Sequence, residues 1–526
     1  MSGTIDRSYW TIGRAARWLV LLLIASPFLF VTVPPLTDVP GHMGRAAIAA
    51  LDQDARFQTL FRFHWFAVPN LGADLIVEGL RHIVSITRAY WLVAAAIPIL
   101  LAAGLFAVAR ALTRPGAAMM GWALVFVWCF PFNYGFLNYM LSVALSLLGF
   151  ALWMRLDARP GRREALTWLG VPLVFLCHAV GGSMLSLFIA SREFSQIERH
   201  EGGQWLAFLR RIRPLIAGVA IIIVWRLSTQ SVAGVNEIGV RQKLNAVVMM
   251  LRDQNIWLDI GSLGGALAVF LIGRWHGARV NRALVPAILF LLALFVVMPS
   301  RLSGSHFADM RLLPVIPMMA FVGHDWTRVD PRLTRRMAIA GYALFALRLA
   351  VTMLGFIAYG RDYRAQLIAL DHISPYSRVI ALSESPCDAT RHWRNDRRGH
   401  LGELAQVYQR SWSNGQWDTD GGHLTQIAWR PSSAFYHDPS QHFWPDACIR
   451  SGVPDRTSFG QSMAALPYGR FDFLWLIGPH PALPDQSRLT PVWSGPDGSI
   501  LYRAMPNVTS ATPAPSIQPA KTSLGQ

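Results

Sequence analysis

Lysine is almost missing from this chain: Lys243 and Lys521 are the only two among 526 residues. Charged residues of every kind reach only 15%, against about 25% in ordinary soluble domains. Cysteine is scarce too, with four residues and no CxxC pair. That excludes a cysteine-rich zinc module and a densely cross-linked secreted scaffold. P-loop, HExxH, GxSxG and dinucleotide-binding fingerprints are all absent, so familiar soluble nucleotide, zinc-protease and serine-hydrolase chemistry has no foothold.

What is abundant is apolar. Hydrophobic residues make up 53% of the chain and fall in long blocks, the pattern of membrane spans and not only of a large core. The formal net charge of +17 is carried almost wholly by arginine. The arginines recur between apolar runs and form no continuous basic patch interleaved with stacking aromatics. Such spacing follows the positive-inside rule and argues against nucleic acid as a partner.

Spans are expected near 16–33, 90–110, 117–132, 136–154, 165–178, 180–190, 214–228, 257–273, 283–299, 311–323 and 337–359. The first run ends in Pro34-Pro35 with no small-residue cleavage pattern, which predicts a retained span and not a cleaved signal. With the N-terminus inside, alternation puts the groups around Arg110, Arg155, Arg192, Arg210, Arg274 and Arg328 on the inner side. This needs a break between 165–178 and 180–190, and Gly181-Gly182 beside His178 supplies one. Asp38, His178, the 229–256 and 300–310 loops and everything beyond 360 then share the outer side.

The first outer loop, 34–89, carries helical apolar spacing over 46–60 and 71–84. These segments read as two amphipathic helices along the membrane interface, with Trp65 and Phe66 between them. Beyond 360 the chain turns polar. Strands are expected at 378–383 and 471–477, and a hairpin over 490–504 around Pro496-Asp-Gly. The reading is a mainly α, polytopic membrane protein with about 11 transmembrane helices. Its parts are a transmembrane domain over 1–360, an extracytoplasmic α/β domain over 361–506 and a disordered tail over 507–526. Cys387 and Cys448 fall in the outer domain, either as a disulfide or as two free thiols. Cys129 and Cys177 lie in apolar runs, buried and inert.

Chemistry must come from isolated polar residues on the outer side. Asp38-Val-Pro-Gly-His42 follows the first apolar run directly. A carboxylate so near hydrocarbon is costly, which marks it for function; the alternative is a side-chain cap on a helix entered at Pro40. A carboxylate there can serve as general base toward a hydroxyl or assist a divalent cation, the one candidate cofactor. His42 falls on the first turn beyond, either in the same site or as a solvated interfacial ring. A second group is Arg301, His306, Asp309 and Arg311. Arg311 opens an apolar run at a depth suited to a lipid phosphate, with His306 and Asp309 orienting it or the substrate. The alternative is a snorkelling Arg311 paired with Asp309. His178 is a substrate contact or a hydrogen-bonded packing residue. Glu237, Arg241, Lys243, Arg252 and Asp253 lie in the 229–256 loop, a weak candidate for a lid.

The layout resembles the GT-C class of polytopic glycosyltransferases. The resemblance rests on Thr37-Asp38-Val-Pro-Gly-His42 after the first span, two interfacial helices in the first outer loop, and many spans leading to a soluble outer domain. It implies a polyprenyl-phosphate-linked sugar as donor and an acceptor hydroxyl activated by Asp38. It also implies inversion at the anomeric carbon, with Arg311 or Arg301 on the lipid phosphate. Many members carry two adjacent acidic residues in the first loop, whereas Val39 follows Asp38 here. A transporter or flippase of a lipid-linked precursor would show internal repeats and mid-membrane polar residues, and neither is evident. A non-catalytic assembly subunit stays open.

Overall fold

The computed structural model describes residues 13–112, 118–197, 204–228, 239–302, 306–387, 392–418, 424–449 and 456–505. Glu237 and the tail over 507–526 lie outside them. Among the described residues, four helices are long and apolar enough to cross a membrane: Ile86–Leu112, Leu137–Arg155, Ile256–Trp275 and Pro331–His372. The first two bury 67% and 72% of their apolar windows inside the protein, the last two only 28% and 33%. The first pair is therefore the bundle's centre, and the other two stand at its rim.

The expected break at His178 is present. Helices Pro160–Cys177 and Ala179–Phe194 meet there, and His178 adopts extended backbone, φ −166° and ψ 134°. Its Nδ1 accepts the Val180 N–H at 3.1 Å, so the imidazole caps the second helix. The ring lies 5.6 Å from that of Tyr139. These are capping and packing contacts.

The expected span over 117–132 takes another form. It is two short helices, Met120–Leu124 and Phe130–Tyr134, with buried irregular backbone between them. Irregular backbone is tolerated in a bundle only where protein satisfies it. Here Trp122 Nε1 donates to Met337 O at 2.8 Å, Trp128 Nε1 to Ile24 O at 3.1 Å, and Phe130 N–H to Met250 O at 2.9 Å. Pro131 and a run of bulky aromatics suit this arrangement better than a straight helix.

The first loop also differs from expectation. Its leading helix runs Val39–Ala50, earlier than 46–60, and Val39, Pro40, Gly41, Met43, Gly44 and Arg45 are all buried. It is a wedge buried between the bundle and the C-terminal domain, the one expected on the outer side and called the outer domain for that reason. A Cβ on Gly41 would come within 2.6 Å of the Trp417 ring, and one on Gly44 would meet Gln416 Nε2 at 2.5 Å. The two glycines are what let the outer domain sit down on this helix. The loop then forms strand Phe61–Phe63, paired antiparallel with Thr425–Ile427 of the outer domain, and helix Gly72–Leu80.

The outer domain is built on one mixed sheet. Its order is Trp412–Ser413, Arg378–Glu384, Phe473–Ile477, Ile500–Ala504, Leu489–Ser494. Arg378–Glu384 pairs parallel with Trp412–Ser413, His442–Phe443 and Phe473–Ile477. The last two strands form the expected hairpin, antiparallel to each other and to Phe473–Ile477. Arg378–Glu384 and Phe473–Ile477 are buried along nearly their whole length, as central strands covered on both faces should be. Cys387 and Cys448 form a disulfide, and Cys129 and Cys177 are free and buried. The helix Pro331–Leu367 runs through the boundary expected at 360 and carries directly into the outer domain.

Candidate active site

Asp38 is held from both sides. Its N–H donates to Tyr134 O at 2.9 Å. Beside that contact, Gly135 has φ +105°, and a Cβ there would come within 2.9 Å of the Asp38 nitrogen, so only glycine fits without strain. From the outer domain, the Thr37 hydroxyl donates to Asp396 O at 2.7 Å and Arg397 donates to Pro35 O at 2.5 Å. Asp38 stands at the N-cap position of Val39–Ala50, yet its carboxylate makes no capping hydrogen bond. Pro40 lacks the N–H such a cap would serve. The carboxylate is left for something else.

It faces His400. The imidazole Nε2 lies 3.9 Å from Asp38 Oδ1 and 3.9 Å from Asp438 Oδ1, and Nδ1 lies 3.4 Å from Glu403 Oε2. Glu403 is fully buried and its Oε1 accepts the Ser413 hydroxyl at 2.6 Å. Burial pushes the Asp38 carboxyl up to about 7; His400 opposes this, Asp438 adds to it, and Arg311 and Arg45 pull it down. Burial works against charge on His400, but the carboxylates of Glu403, Asp438 and Asp38 outweigh it, and it is raised to about 9. Near neutral pH, His400 is a cation and Asp38 is poised between its two states. A carboxyl group held near neutrality can both take up and release a proton there.

Trp417 forms a wall of this cleft. Its ring lies 4.9 Å from that of His400 and 5.0 Å from that of His42. His42 Nδ1 is 3.0 Å from Arg45 Nη2, and Arg45 reaches Asp74 Oδ1 at 2.6 Å. Asn138 holds the other Asp74 oxygen at 2.9 Å. Beyond His400, His442 Nδ1 lies 4.0 Å from Asp396 Oδ2. Burial lowers His442 despite Asp396 and Asp438.

The 301–311 segment is a separate group. Arg301 donates to His306 Nε2 at 2.7 Å from Nη2, near the surface. Asp309 is buried and takes Lys243 Nζ at 2.7 Å and the Met310 N–H at 2.9 Å, so it does not orient Arg311 as expected. Arg311 lies 4.5 Å over the Phe136 ring, at the tip that also holds Asp38. Its charge acts on Asp38.

In the segment considered as a lid, the described residues Arg252 and Asp253 act as anchors. Arg252 donates to Trp393 O at 2.7 Å and His392 O at 3.0 Å. Asp253 takes Arg397 Nη2 at 2.9 Å and the Thr352 hydroxyl at 2.6 Å. Asp259 takes Arg348 Nη1 at 2.5 Å and Trp393 Nε1 at 2.6 Å. Among the described residues, no group of three or more His, Cys, Asp or Glu side chains is arranged to hold a metal ion.

No protein-family model matches the chain, and no curated protein matches it. Among solved structures it is similar to ArnT from Cupriavidus metallidurans in the apo state. The TM-score is 0.50 at 13% identity, over 93% of this chain and 98% of that one. The chain has the fold of that protein. ArnT from the same organism bound to undecaprenyl phosphate matches with TM-score 0.47 at 13% identity, over 95% of this chain and 99% of that one.

Sequence reasoning singled out Asp38 as a candidate and did not single out what faces it. His400, Glu403, Asp438 and Trp417 all come from the outer domain, more than 350 residues away. One signal was readable. Gly399-His400-Leu-Gly-Glu403 puts an imidazole and a carboxylate three apart on a tight turn between glycines.

Proposed function

We propose that this chain is an integral membrane glycosyltransferase. In this reading it moves a sugar from a polyprenyl-phosphate donor to an acceptor hydroxyl at the outer face of the membrane. The N-terminus is cytoplasmic, the chain crosses the bilayer about 11 times, and the outer domain over 361–506 is extracytoplasmic. Asp38 takes the acceptor proton. The freed oxygen attacks the anomeric carbon as the bond to the lipid phosphate breaks, so the configuration inverts and the phosphate leaves with the electron pair. Arg311, close enough for its charge to act on Asp38, offers a guanidinium to the departing phosphate. His42 and the Trp417 ring border the sugar or acceptor, and His178 serves the bundle.

One observation carries this reading: the Asp38 carboxylate forgoes its cap and faces a titratable cluster between bundle and outer domain. The test is release of polyprenyl phosphate from a panel of polyprenyl-phosphate sugars by purified protein with a membrane extract as acceptor source. Wild-type protein releases it and Asp38→Asn does not. Equal release by the variant removes Asp38 from the reaction.

A further inference from the structure

The reading above leaves His400 and Glu403 without a task, although both are buried in the same cleft. A buried Glu403 that already accepts a hydroxyl hydrogen bond from Ser413 at 2.6 Å is a fixed acceptor. It holds Nδ1 of His400 at 3.4 Å, and that sets which way Nε2 points. Nε2 points at two carboxylates, each 3.9 Å away, one from the bundle side and one from the outer domain. That distance is too long for a hydrogen bond and short enough for a strong unscreened attraction. The helix beneath makes room for the ring, since a Cβ on Gly41 would meet His400 Nδ1 at 3.2 Å.

We infer that His400, anchored by Glu403, is a positioning residue for Asp38: a cation supplied by the outer domain that keeps the base ionised and aimed. This deepens the proposed function and rests on its reading of Asp38. The other charged and titratable groups facing the pair are Asp438, Asp396 and His442 from the outer domain, Arg45 on the Asp38 helix, and Tyr134 and Arg311 at the neighbouring tips. The two arginines also favour an ionised Asp38, but neither approaches it within the 4.0 Å of an ion pair, and Arg45 is committed to Asp74 at 2.6 Å. Asp438 opposes ionisation. Among the described residues, His400 is the nearest cation to the Asp38 carboxylate, and removing it leaves Asp38 and Asp438 to repel each other.

The experiment needs no substrate. Dicyclohexylcarbodiimide adds to protonated carboxyl groups, so its labelling of Asp38 falls as Asp38 ionises. Full-length wild type, His400→Gln, Glu403→Gln and His400→Lys are labelled in detergent across pH, and the Asp38 peptide is quantified by mass spectrometry. The labelling midpoint is expected to rise by about one pH unit or more, a tenfold change in protonation, in His400→Gln and Glu403→Gln. His400→Lys restores the cation and returns the midpoint toward wild type. Merely structural damage would not be rescued by lysine. Should His400→Gln fail to fold, the isosteric Glu403→Gln carries the test. A midpoint unmoved in the folded variants overturns the inference, even if Asp38→Asn still abolishes sugar transfer. Midpoints that shift while Asp38→Asn transfers normally overturn it differently: the coupling is real, but the carboxylate it serves is not the base.

Discussion

Two charge clusters lie where the bundle meets the outer domain, and they are built on opposite principles. Around Asp253 and Asp259, both carboxylates receive a guanidinium at 2.9 and 2.5 Å, and their second oxygens take a Thr352 hydroxyl and a Trp393 indole. Around Asp38, three carboxylates share one imidazole at 3.4 to 3.9 Å. The first cluster is saturated and fastens the outer domain down. The second is short of positive charge and of hydrogen bonds, which costs stability and leaves a carboxylate reactive. Counting charges would not separate them; the distances do.

Substitutions can break this contrast. The largest effect belongs to Asp38→Asn, which should lower sugar transfer by about 10²–10⁴-fold, the usual range for a lost general base. The same change should not destabilise the protein. The Asp38 carboxyl is raised in the fold from 3.8 to about 7, so the native state binds its proton more tightly. That contribution is full below the unfolded pKa and is lost as pH rises toward 7. Above pH 7, Asp38→Asn should therefore unfold at a higher temperature than wild type, and the gap should close in mild acid. A variant less stable than wild type at pH 8 would put Asp38 in the fastening class.

Asp253→Ala should behave the other way. Removing one partner of a buried pair costs about 3–5 kcal/mol, read as a lower thermal midpoint in detergent with the outer domain more open to protease. Reducing Cys387–Cys448, which closes a loop between residues 61 apart, should cost about 2–4 kcal/mol. That loss should show in the outer domain and leave the bundle's helix content unchanged. The smallest effect is expected at His306, whose side-chain partner Arg301 stands near the surface. His306→Ala should shift stability by no more than about 0.5 kcal/mol and leave transfer close to wild type. A large loss of transfer would extend the site to the 301–311 loop and blur the contrast.

The sequence was most informative where one physical signal ran without competition. Apolar length located the long helices, and the positive-inside rule required the break that His178 makes. Strand pattern located Arg378–Glu384, Phe473–Ile477 and the final hairpin. It misled where two demands met. Residues 46–60 carry amphipathic spacing, but the helix starts at Val39 because Gly41 and Gly44 serve a contact with residues 403–417. Asp309 sits two residues before Arg311, yet pairs with Lys243 across 66 positions. His400 and Glu403 were silent for the same reason. Their meaning depends on Asp38, and no local period links positions so far apart.

The wedge at Val39–Ala50 carries a consequence for how the molecule comes into being. Asp38 is among the first polar residues to emerge during synthesis, and its partner His400 among the later ones. Gln416 must also arrive before its amide can donate to Gly41 O at 3.0 Å, and Thr425–Ile427 before the edge strand Phe61–Phe63 has a neighbour. Until then the inserted N-terminal half displays a carboxylate with nothing opposite it. A ribosome that stalls anywhere in the bundle yields an anchored but incomplete cleft, so chain completion is itself the step that assembles this site.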